Sequence, residues 1–263
     1  MTTTVHSSER PDERVSHRDQ PGSHQETEQN RLLGALPPAS YDRLLEHLEP
    51  VEFSPKQTLW KSNEPIRSVY FPRTCVLSLL IMFEEEGPVE SATVGREGMV
   101  GVALALGADS TASMAIAQVP GEAVRIPAAV FRDALADDAA LATLMLRYAY
   151  VQHEQASQSV ACNRRHPMDQ RCARWILMTH DRVASDQFSL TQEFLAFMLG
   201  VRRASVTTAA GILQHAGLIR YSRGRVTILD RPRLEEATCE CYRIMRDKSE
   251  RMFAAEGRRS TPR

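Results

Sequence analysis

The sequence predicts an α+β fold in which an N-terminal antiparallel β-roll (jelly roll) is followed by one long helix and a C-terminal helix-turn-helix with a β-hairpin. Three observations predict this fold. Short apolar runs separated by turn residues fill residues 51–126, which is typical of antiparallel sheets. One uninterrupted helical pattern covers residues 137–163. Residues 189–229 then fit two short helices and a small basic hairpin.

Length and composition are those of a globular protein with two domains. The 263 residues are 43% hydrophobic and 25% charged, and the net charge is −1. No apolar run approaches the roughly 18 residues that a membrane helix needs. The polar N-terminus also lacks the apolar segment of a signal peptide. We therefore expect a cytoplasmic protein with no membrane partner.

The β-roll is expected between a disordered tail and the long helix. Residues 1–30 are polar with almost no aliphatic side chains, so they cannot bury enough surface to offset the entropy of ordering. Residues 31–136 form the roll, and a short amphipathic helix over residues 31–48 opens it. The expected strands are 58–60, 68–71, 76–83, 89–94, 112–119 and 123–126.

The long helix, residues 137–165, carries a stripe of apolar and small polar side chains at helical spacing. Burial against the roll alone would not explain a stripe that mixes apolar residues with glutamine, whereas a parallel coiled coil with a second copy explains it. We therefore expect a homodimer. The predicted dimer contacts are Leu141, Leu144, Met145, Tyr148, Val151 and Gln155.

The C-terminal domain is expected to cover residues 166–250, followed by a flexible tail at 251–263. Pro167 can open its first helix, because proline is tolerated at the first helical position. The last helix is predicted from Leu234 to about Phe253 and is expected to pack on the hairpin.

Within this domain, residues 191–216 predict a pair of helices around a tight turn. The Thr191 hydroxyl can cap the first helix, and Gly200 can end it in the left-handed conformation. The second helix, from about Arg203 to Ala216, buries an apolar face and exposes short polar side chains near its N-terminus. A helix that reads base edges in the DNA major groove needs this layout, because arginine bonds guanine twice and small neighbours let the backbone approach.

A basic hairpin follows, with strands at 218–221 and 225–229. Between Leu199 and Arg233 there are seven arginines and one acid, so this segment can neutralise phosphates although the whole chain is slightly negative. A helical hairpin in an ordinary core and a winged helix that binds only protein are alternatives, but neither requires this charge. The predicted DNA contacts are Thr191, Arg202, Arg203, Ser205, Thr207, Thr208, Arg220, Arg223 and Arg225.

These residues resemble the C-terminal winged helix-turn-helix of the Crp/Fnr family of bacterial transcription regulators. The resemblance rests on Leu190–Gln192, Leu199–Arg203, Ser205–Thr207, Gly217–Ile219 and the strand at Arg225. Tyr70–Pro72, Leu79–Leu80 and Val94–Gly98 in the roll are similar to the family too.

The resemblance implies a sequence-specific transcription regulator that binds a palindromic operator in double-stranded DNA as a homodimer, with a cyclic-nucleotide-binding-like roll as its sensor. RNA polymerase and an unknown small-molecule effector are further expected partners. Family members commonly carry Arg-Glu at the start of the recognition helix and a second arginine further on. Arg203 keeps the first position, but Ala204 and Thr208 stand at the others, so the operator should differ.

A cyclic nucleotide is not expected as the effector. Family members that bind one resemble each other in a Gly-Glu pair followed by Arg-Ser/Thr-Ala, in which the arginine holds the phosphate. Here Glu97 can fill the glutamate role, but no lysine or arginine occurs between Glu97 and Val124. A buried phosphate without a charged partner is unfavourable. The residues assigned to an effector pocket are Arg96, Glu97, Gly98, Ser113 and Met114.

No cofactor or metal site is expected. The five cysteines lack a zinc-finger spacing, and none precedes Cys75, so the N-terminal iron–sulfur cluster of some Fnr-type relatives is not implied. Cys239 and Cys241 would point apart on a helix. Cys162 and His166 are four residues apart on a helix, but two ligands fall short of a four-coordinate site.

An enzyme is not expected either. The sequence shows no nucleophile with its base and no pair of metal-ligating histidines, and its glycine-rich loop at residues 95–101 lacks the Gly-Lys-Ser/Thr of a nucleotide-triphosphate site. The alternatives to a regulator are a jelly-roll enzyme or regulatory subunit, and a protein that binds DNA without sequence preference.

Overall fold

A computed structural model of the chain describes residues 30–85 and 87–257, with side chains up to residue 254. The tail expected at residues 1–30 lies outside this part except for Asn30, which is buried and caps the first helix. The Asn30 amide also donates to the backbone oxygens of Pro72 and Gly98. Asn30 therefore belongs to the folded roll rather than to the tail. Residues 258–263 of the expected C-terminal tail also lie outside the described residues.

The elements follow the predicted order of roll, long helix and C-terminal domain. In the roll, the helices are α1 (Arg31–Gly34), α2 (Pro38–Leu45) and α3 (Ala128–Asp137), with a 3-10 helix at Val102–Leu106. Its strands are β1 (Glu49–Phe53), β2 (Thr58–Trp60), β3 (Ser68–Pro72), β4 (Val76–Phe83), β5 (Gly87–Val94), β6 (Ser113–Val119) and β7 (Gly121–Pro127). The long helix is α4 (Ala139–Arg165). The C-terminal elements are α5 (Met168–His180), β8 (Gln187–Ser189), α6 (Gln192–Leu199), α7 (Arg203–His215), β9 (Ile219–Ser222), β10 (Arg225–Ile228), α8 (Arg231–Glu236) and α9 (Cys241–Gly257).

The roll consists of two antiparallel sheets with strand orders β1-β7-β3 and β2-β6-β4-β5. Its core includes Phe71, Leu77 and Met99, which are fully buried. Gly98 lies directly against Tyr148 of α4, and a Cβ at this glycine would fall 2.1 Å from the tyrosine oxygen. Glycine at this position is therefore required for the roll to pack against the long helix.

Strands β1 and β8 and helix α3 were not predicted, and the first predicted helix is divided. Strands β1 and β8 were not predicted because they are short and mostly exposed. Their sequences therefore lack the longer alternation of apolar and polar residues that indicates a strand. Helix α3 was not predicted either. The single helix expected over residues 31–48 is two helices, because Pro37 and Pro38 cannot continue α1.

Helix α4 begins as its sequence suggests but does not use its apolar stripe for dimerisation. The Asp138 side chain caps it by accepting the backbone N–H groups of Ala140 and Leu141. Five of the six residues assigned to the dimer interface are buried in the roll core of their own chain: Leu141, Leu144, Met145, Tyr148 and Val151. That assignment is therefore wrong. An apolar stripe on a helix indicates that this face is covered, but it does not indicate by what. On α4 the roll of the same chain covers it.

The opposite face of α4 is the one left open. Leu146, Tyr150 and Val160 are 54%, 62% and 72% exposed. Together with Thr143, His153 and Ser157 they recur at alternating steps of three and four residues, which is the spacing of a coiled-coil seam.

In the C-terminal domain, α5, α6 and α7 pack with a small sheet of order β8-β10-β9. The last helical segment is two helices, and α9 packs along α4 and against α5 rather than on the hairpin as expected. Helix α9 continues to Gly257 and buries Met252, so residues 251–257 are helical where a flexible tail was expected. Among the described residues, no helix is both long and apolar enough to span a bilayer.

The two domains are in contact through α6, which packs on β5 of the roll. Beside this contact, the indole nitrogen of Trp175 donates to Glu90 Oε1 at 2.8 Å. The Ser78 hydroxyl lies 2.7 Å from Glu90 Oε2 and 2.7 Å from Gln118 Oε1. The Gln118 amide then donates to Thr179 Oγ1 at 3.2 Å. A continuous chain of hydrogen bonds thus connects the roll to α5.

Candidate nucleic-acid interface

Helix α6 holds the neighbouring helix in position. As predicted, the Thr191 hydroxyl caps it by accepting the backbone N–H of Phe194 at 3.1 Å. Gly200 ends it in the left-handed conformation, with φ of 61°. The guanidinium of Arg171 donates to the backbone oxygen of Leu199 at 2.8 Å, so the last turn of α6 is also bonded to α5.

Helix α7 has the two faces that its sequence predicts. It buries Val206, Ala209, Ala210 and Leu213. It exposes Arg203, Ala204, Ser205, Thr207 and Thr208 in its first two turns. These exposed side chains are short apart from Arg203, which leaves the helix backbone accessible to a groove of DNA.

The hydroxyl groups of α7 are already engaged within the protein. Thr207 Oγ1 lies 2.7 Å from Gln192 Oε1 and 3.1 Å from the backbone oxygen of Arg203. Thr208 Oγ1 donates to the backbone oxygen of Ala204 at 3.1 Å. The two threonines therefore offer DNA their methyl groups and oxygen lone pairs rather than free donors. Gln192 was not predicted, because only the crossing of α6 over α7 brings it to Thr207.

The hairpin β9–β10 forms a wing beside α7. Arg223 and Gly224 both have positive φ, 50° and 73°, as the two central residues of a type I′ turn require. Arg220, Arg223 and Arg225 are exposed along it. The tip is packed on the start of α6, since a Cβ at Gly224 would lie 3.2 Å from the Thr191 methyl group.

Positive charge is concentrated on this surface. Five arginines are exposed and, within the described part of the chain, form no ion pair: Arg202, Arg203, Arg220, Arg223 and Arg225. The other two arginines of the basic segment are used elsewhere. Arg231 lies 2.5 Å from Asp181, and Arg233 lies 3.9 Å from Asp230. Five of the seven arginines are thus available to an anionic partner.

The residues assigned to an effector pocket are not all brought together. Arg96 and Glu97 line a cavity of about 220 Å³ between the roll, α4, α5 and α9. Ser113 and Met114 on β6 are not among its lining residues. The backbone oxygen of Ser113 accepts from Trp60 at 3.1 Å, and Met114 packs against the core of the C-terminal domain. The structure therefore divides the predicted pocket in two.

Glu97 is paired within the protein. Arg182 Nε lies 2.7 Å from Glu97 Oε1, and both side chains are largely buried. The same oxygen accepts the backbone N–H of Gly95 at 3.2 Å. A ligand that displaced Arg182 from Glu97 would therefore break an ion pair between the roll and the turn that follows α5.

Potential metal ligands converge at one place in the described residues, namely Cys162, His166, Cys239 and Cys241. The expectation that Cys239 and Cys241 point apart on a helix is wrong. Helix α9 begins only at Cys241, and Cys239 lies in the preceding loop, so the two side chains can turn to the same side.

Two family models match the chain. The model of the Crp-like helix-turn-helix domain matches residues 170–237, and that of the cyclic nucleotide-binding domain matches residues 50–138. The two matches coincide with the C-terminal domain and the roll, in the order that the fold shows. The chain belongs to the Crp/Fnr family of transcriptional regulators.

Solved structures of Crp/Fnr proteins share this fold. A crp/fnr-family regulator from Eubacterium rectale superposes with a TM-score of 0.62 at 20% identity, over 78% of this chain and 96% of that one. FixK2 from Bradyrhizobium japonicum gives 0.63 at 16% identity, over 73% and 98%. The c-di-GMP responsive regulator CLP from Xanthomonas campestris gives 0.56 at 15% identity, over 72% and 98%. A search of curated protein sequences gave no significant match.

The Crp/Fnr assignment covers the predicted DNA contacts but not the cysteine cluster. All nine predicted contacts, from Thr191 to Arg225, lie within the helix-turn-helix match. Cys162 and His166 lie between the two matches, and Cys239 and Cys241 follow the second one. The family models therefore say nothing about the convergence of these four side chains.

Proposed function

We propose that this Crp/Fnr regulator is a cytoplasmic homodimer that binds a palindromic DNA operator by sequence and has no catalytic activity. The observation that carries the proposal is the surface of α7 and the wing, where five unpaired arginines surround a row of short side chains. RNA polymerase is proposed as a further partner.

Arg203 is assigned to base recognition. It lies in the first turn of α7, which is the part of a recognition helix that reaches base edges. Its guanidinium can form two parallel hydrogen bonds with guanine, and the methyl groups of Thr207 and Thr208 suit thymine. With Ala204 beside Arg203, a side chain that would accept a hydrogen bond from cytosine is missing at that position.

The wing arginines are assigned to phosphates. Arg220, Arg223 and Arg225 are spread along the hairpin, and Arg202 immediately precedes α7. Contacts of this type position a protein on the duplex without reading sequence, and each displaces condensed cations. The affinity for DNA should therefore fall steeply as the salt concentration rises.

The homodimer is assigned to the exposed face of α4. Leu146, Tyr150 and Val160 would leave water on pairing with the same face of a second copy, in the geometry of a two-stranded coil. A two-fold axis along this helix pair would present two recognition helices to DNA, as a palindromic operator requires.

A small-molecule effector, if one acts here, would reach the cavity that Arg96 and Glu97 line. This cavity borders the roll, α4, α5 and α9, so that a ligand within it would contact both domains. The Glu97–Arg182 ion pair is its direct connection to the C-terminal domain.

The proposal is tested by selecting an operator from random duplexes and measuring its affinity against an unselected duplex. Arg203→Ala should lose on the order of 1 to 3 kcal/mol for the operator and little for random DNA. Arg223→Ala should weaken both similarly and lower the salt slope by about one unit. Arg243→Ala, which removes an exposed arginine from α9, is the matched control and should change neither.

Two outcomes would contradict the proposal. Equal losses of operator and random DNA on Arg203→Ala would remove the base-reading role of this residue. Failure of any duplex to compete better than random DNA would support a protein that binds DNA without sequence preference.

A further inference from the structure

Four side chains with metal-ligating atoms meet where the long helix ends. Cys162 lies in the last turn of α4 and His166 directly follows it, Cys239 lies in the loop after α8, and Cys241 opens α9. The three Sγ atoms and a ring nitrogen of His166 all lie within 4.8 Å of one another. We propose that these four residues bind one zinc ion, which fastens the end of α4 to the start of α9.

The distances suit a tetrahedral site. With zinc–sulfur bonds of about 2.3 Å, the sulfur atoms of a tetrahedral site lie roughly 3.8 Å apart. Here Cys162 Sγ and Cys239 Sγ are 3.5 Å apart, and Cys241 Sγ is 3.6 Å from His166 Nδ1. All three cysteines are free thiols and buried. Three cysteines and one histidine are a usual ligand set of structural zinc sites.

The surroundings of the cluster orient its ligands. Glu240 Oε2 lies 3.3 Å from His166 Nε2, so the carboxylate can hold the proton on that nitrogen. The lone pair of Nδ1 is then directed towards the sulfur atoms. A histidine held in this way by a carboxylate is typical of zinc sites. The Gln158 amide also donates to Cys241 Sγ at 3.0 Å, which fixes the position of this sulfur atom.

An independent observation is the buried guanidinium of Arg174. This residue is 4% exposed, and among the described residues it has no carboxylate partner. Its donors contact Ser159 Oγ and Met245 Sδ, and its Nε has no partner. A buried arginine without a counter-charge is costly. Arg174 is close enough to Cys162 for their charges to interact. Zinc with three thiolates carries one net negative charge, which would neutralise this cation.

Two other buried cysteines show what an ordinary core thiol looks like in this protein. Cys75 and Cys172 are fully buried free thiols, as the three cysteines of the cluster are. Within the part of the chain that the structure describes, neither belongs to a group of converging ligands. They are therefore matched controls for the four residues of the cluster.

The position of the cluster gives the ion a structural role. The chain bends at His166 and Pro167, between the long helix and the first helix of the DNA-binding domain. Zinc bound to Cys162 and His166 on one side of this bend and to Cys239 and Cys241 on the other would hold the two parts at a set angle.

The test uses the full chain, produced with added zinc and dialysed against zinc-free buffer. Elemental analysis should find one zinc per chain in the wild type and in Cys172→Ser, and background zinc in Cys239→Ser. Replacement of zinc by Co²⁺ should give the sulfur-to-cobalt charge-transfer band and the intense visible bands of a tetrahedral thiolate site. Removal of zinc by a chelator should lower the Tm of the wild type and not that of Cys239→Ser.

Because Cys239→Ser removes a buried side chain, a surface variant provides a second measurement. Glu240 is 61% exposed, so Glu240→Gln should fold normally while lowering zinc affinity by roughly 10- to 100-fold. Glu236→Gln, at an exposed position of α8, should leave the affinity unchanged.

Three results would overturn the proposal. The first is a wild-type chain that takes up no stoichiometric zinc. The second is iron with acid-labile sulfide in place of zinc. The third is a disulfide between Cys162 and Cys239 in the freshly isolated protein, found by peptide analysis after thiol blocking.

Discussion

The carboxyl group of Glu90 lies between the roll and the C-terminal domain, with both oxygens in hydrogen bonds. Burial raises its pKa above the ordinary value, and hydrogen bonds together with the charge of Arg182 oppose this only in part. In the protonated form the carboxyl group can donate to Ser78. Ser78 can then donate to Gln118. Each donor in the series of hydrogen bonds between the two domains then has an acceptor.

A carboxyl group with a raised folded-state pKa stabilises the fold only while it is protonated. The contribution of Glu90 to stability should therefore be fully present below the unfolded-state pKa of about 4.3 and be lost as the pH rises through the higher folded-state pKa. Glu90→Gln keeps an acceptor for Trp175 and gains a donor for Ser78. We expect this substitution to increase the free energy of unfolding at neutral pH by about 1 kcal/mol, which raises the Tm by a few degrees. It should also remove the pH dependence that Glu90 causes.

Thermal unfolding of the wild type and Glu90→Gln across the acidic to neutral range checks this prediction. Glu52→Gln, at an exposed position of β1, is the control and should leave the pH profile unchanged. A lower Tm of Glu90→Gln at neutral pH would show that the ionised carboxylate stabilises the fold, for example through Arg182.

At the scale of elements, α4 has one covered face and one exposed face. One face completes the roll core, and Tyr148 on that face donates to the backbone oxygen of Met99 at 3.0 Å. The other face carries Leu146, Tyr150 and Val160 in the open. Substitutions on the two faces should therefore have different consequences.

The double variant Leu146→Lys, Val160→Lys should be folded and monomeric, because both sites are exposed within the chain and like charges would face each other in a paired coil. Leu144→Ala, on the covered face, should remain dimeric and lose about 2 to 5 kcal/mol of stability. Sedimentation and thermal unfolding of both variants separate these effects. An intact dimer of the double lysine variant would exclude this face from the interface.

On the scale of the whole molecule, the two domains are connected at the position where a cyclic nucleotide would be expected to act. Glu97, the residue that resembles the ribose-binding glutamate of the family, is bonded to Arg182 of the C-terminal part. A nucleotide that displaced Arg182 would leave its buried charge without a partner. The segment from Gly98 to Ala123 supplies no lysine or arginine for the phosphate.

We therefore expect neither cyclic AMP nor cyclic GMP to bind the purified protein specifically. Isothermal titration with each nucleotide measures this directly, with the linear monophosphates as controls for anion binding at Arg96. A Kd of roughly 10 μM or tighter for a cyclic nucleotide alone, about −7 kcal/mol, would contradict the expectation.

The sequence by itself determined the elements whose patterns are local. The two helices around Gly200, the Thr191 cap, the turn at Arg223 and Gly224 and most strands of the roll follow from periodicity and turn chemistry. The same is true of the five exposed arginines, because clustered charge in a short segment with little room for burial has to face solvent.

Only the tertiary structure shows which segments of the chain are in contact with each other. The stripe at Leu144 and Tyr148 required a cover, and the packing of the roll rather than a second chain supplied it. Cys162 and Cys239 are 77 residues apart, and their sulfur atoms meet because α9 folds back along α4. The spacing of side chains along the sequence shows which residues share a face of a helix or strand. It does not show which other element covers that face, because this depends on how whole helices and sheets pack together.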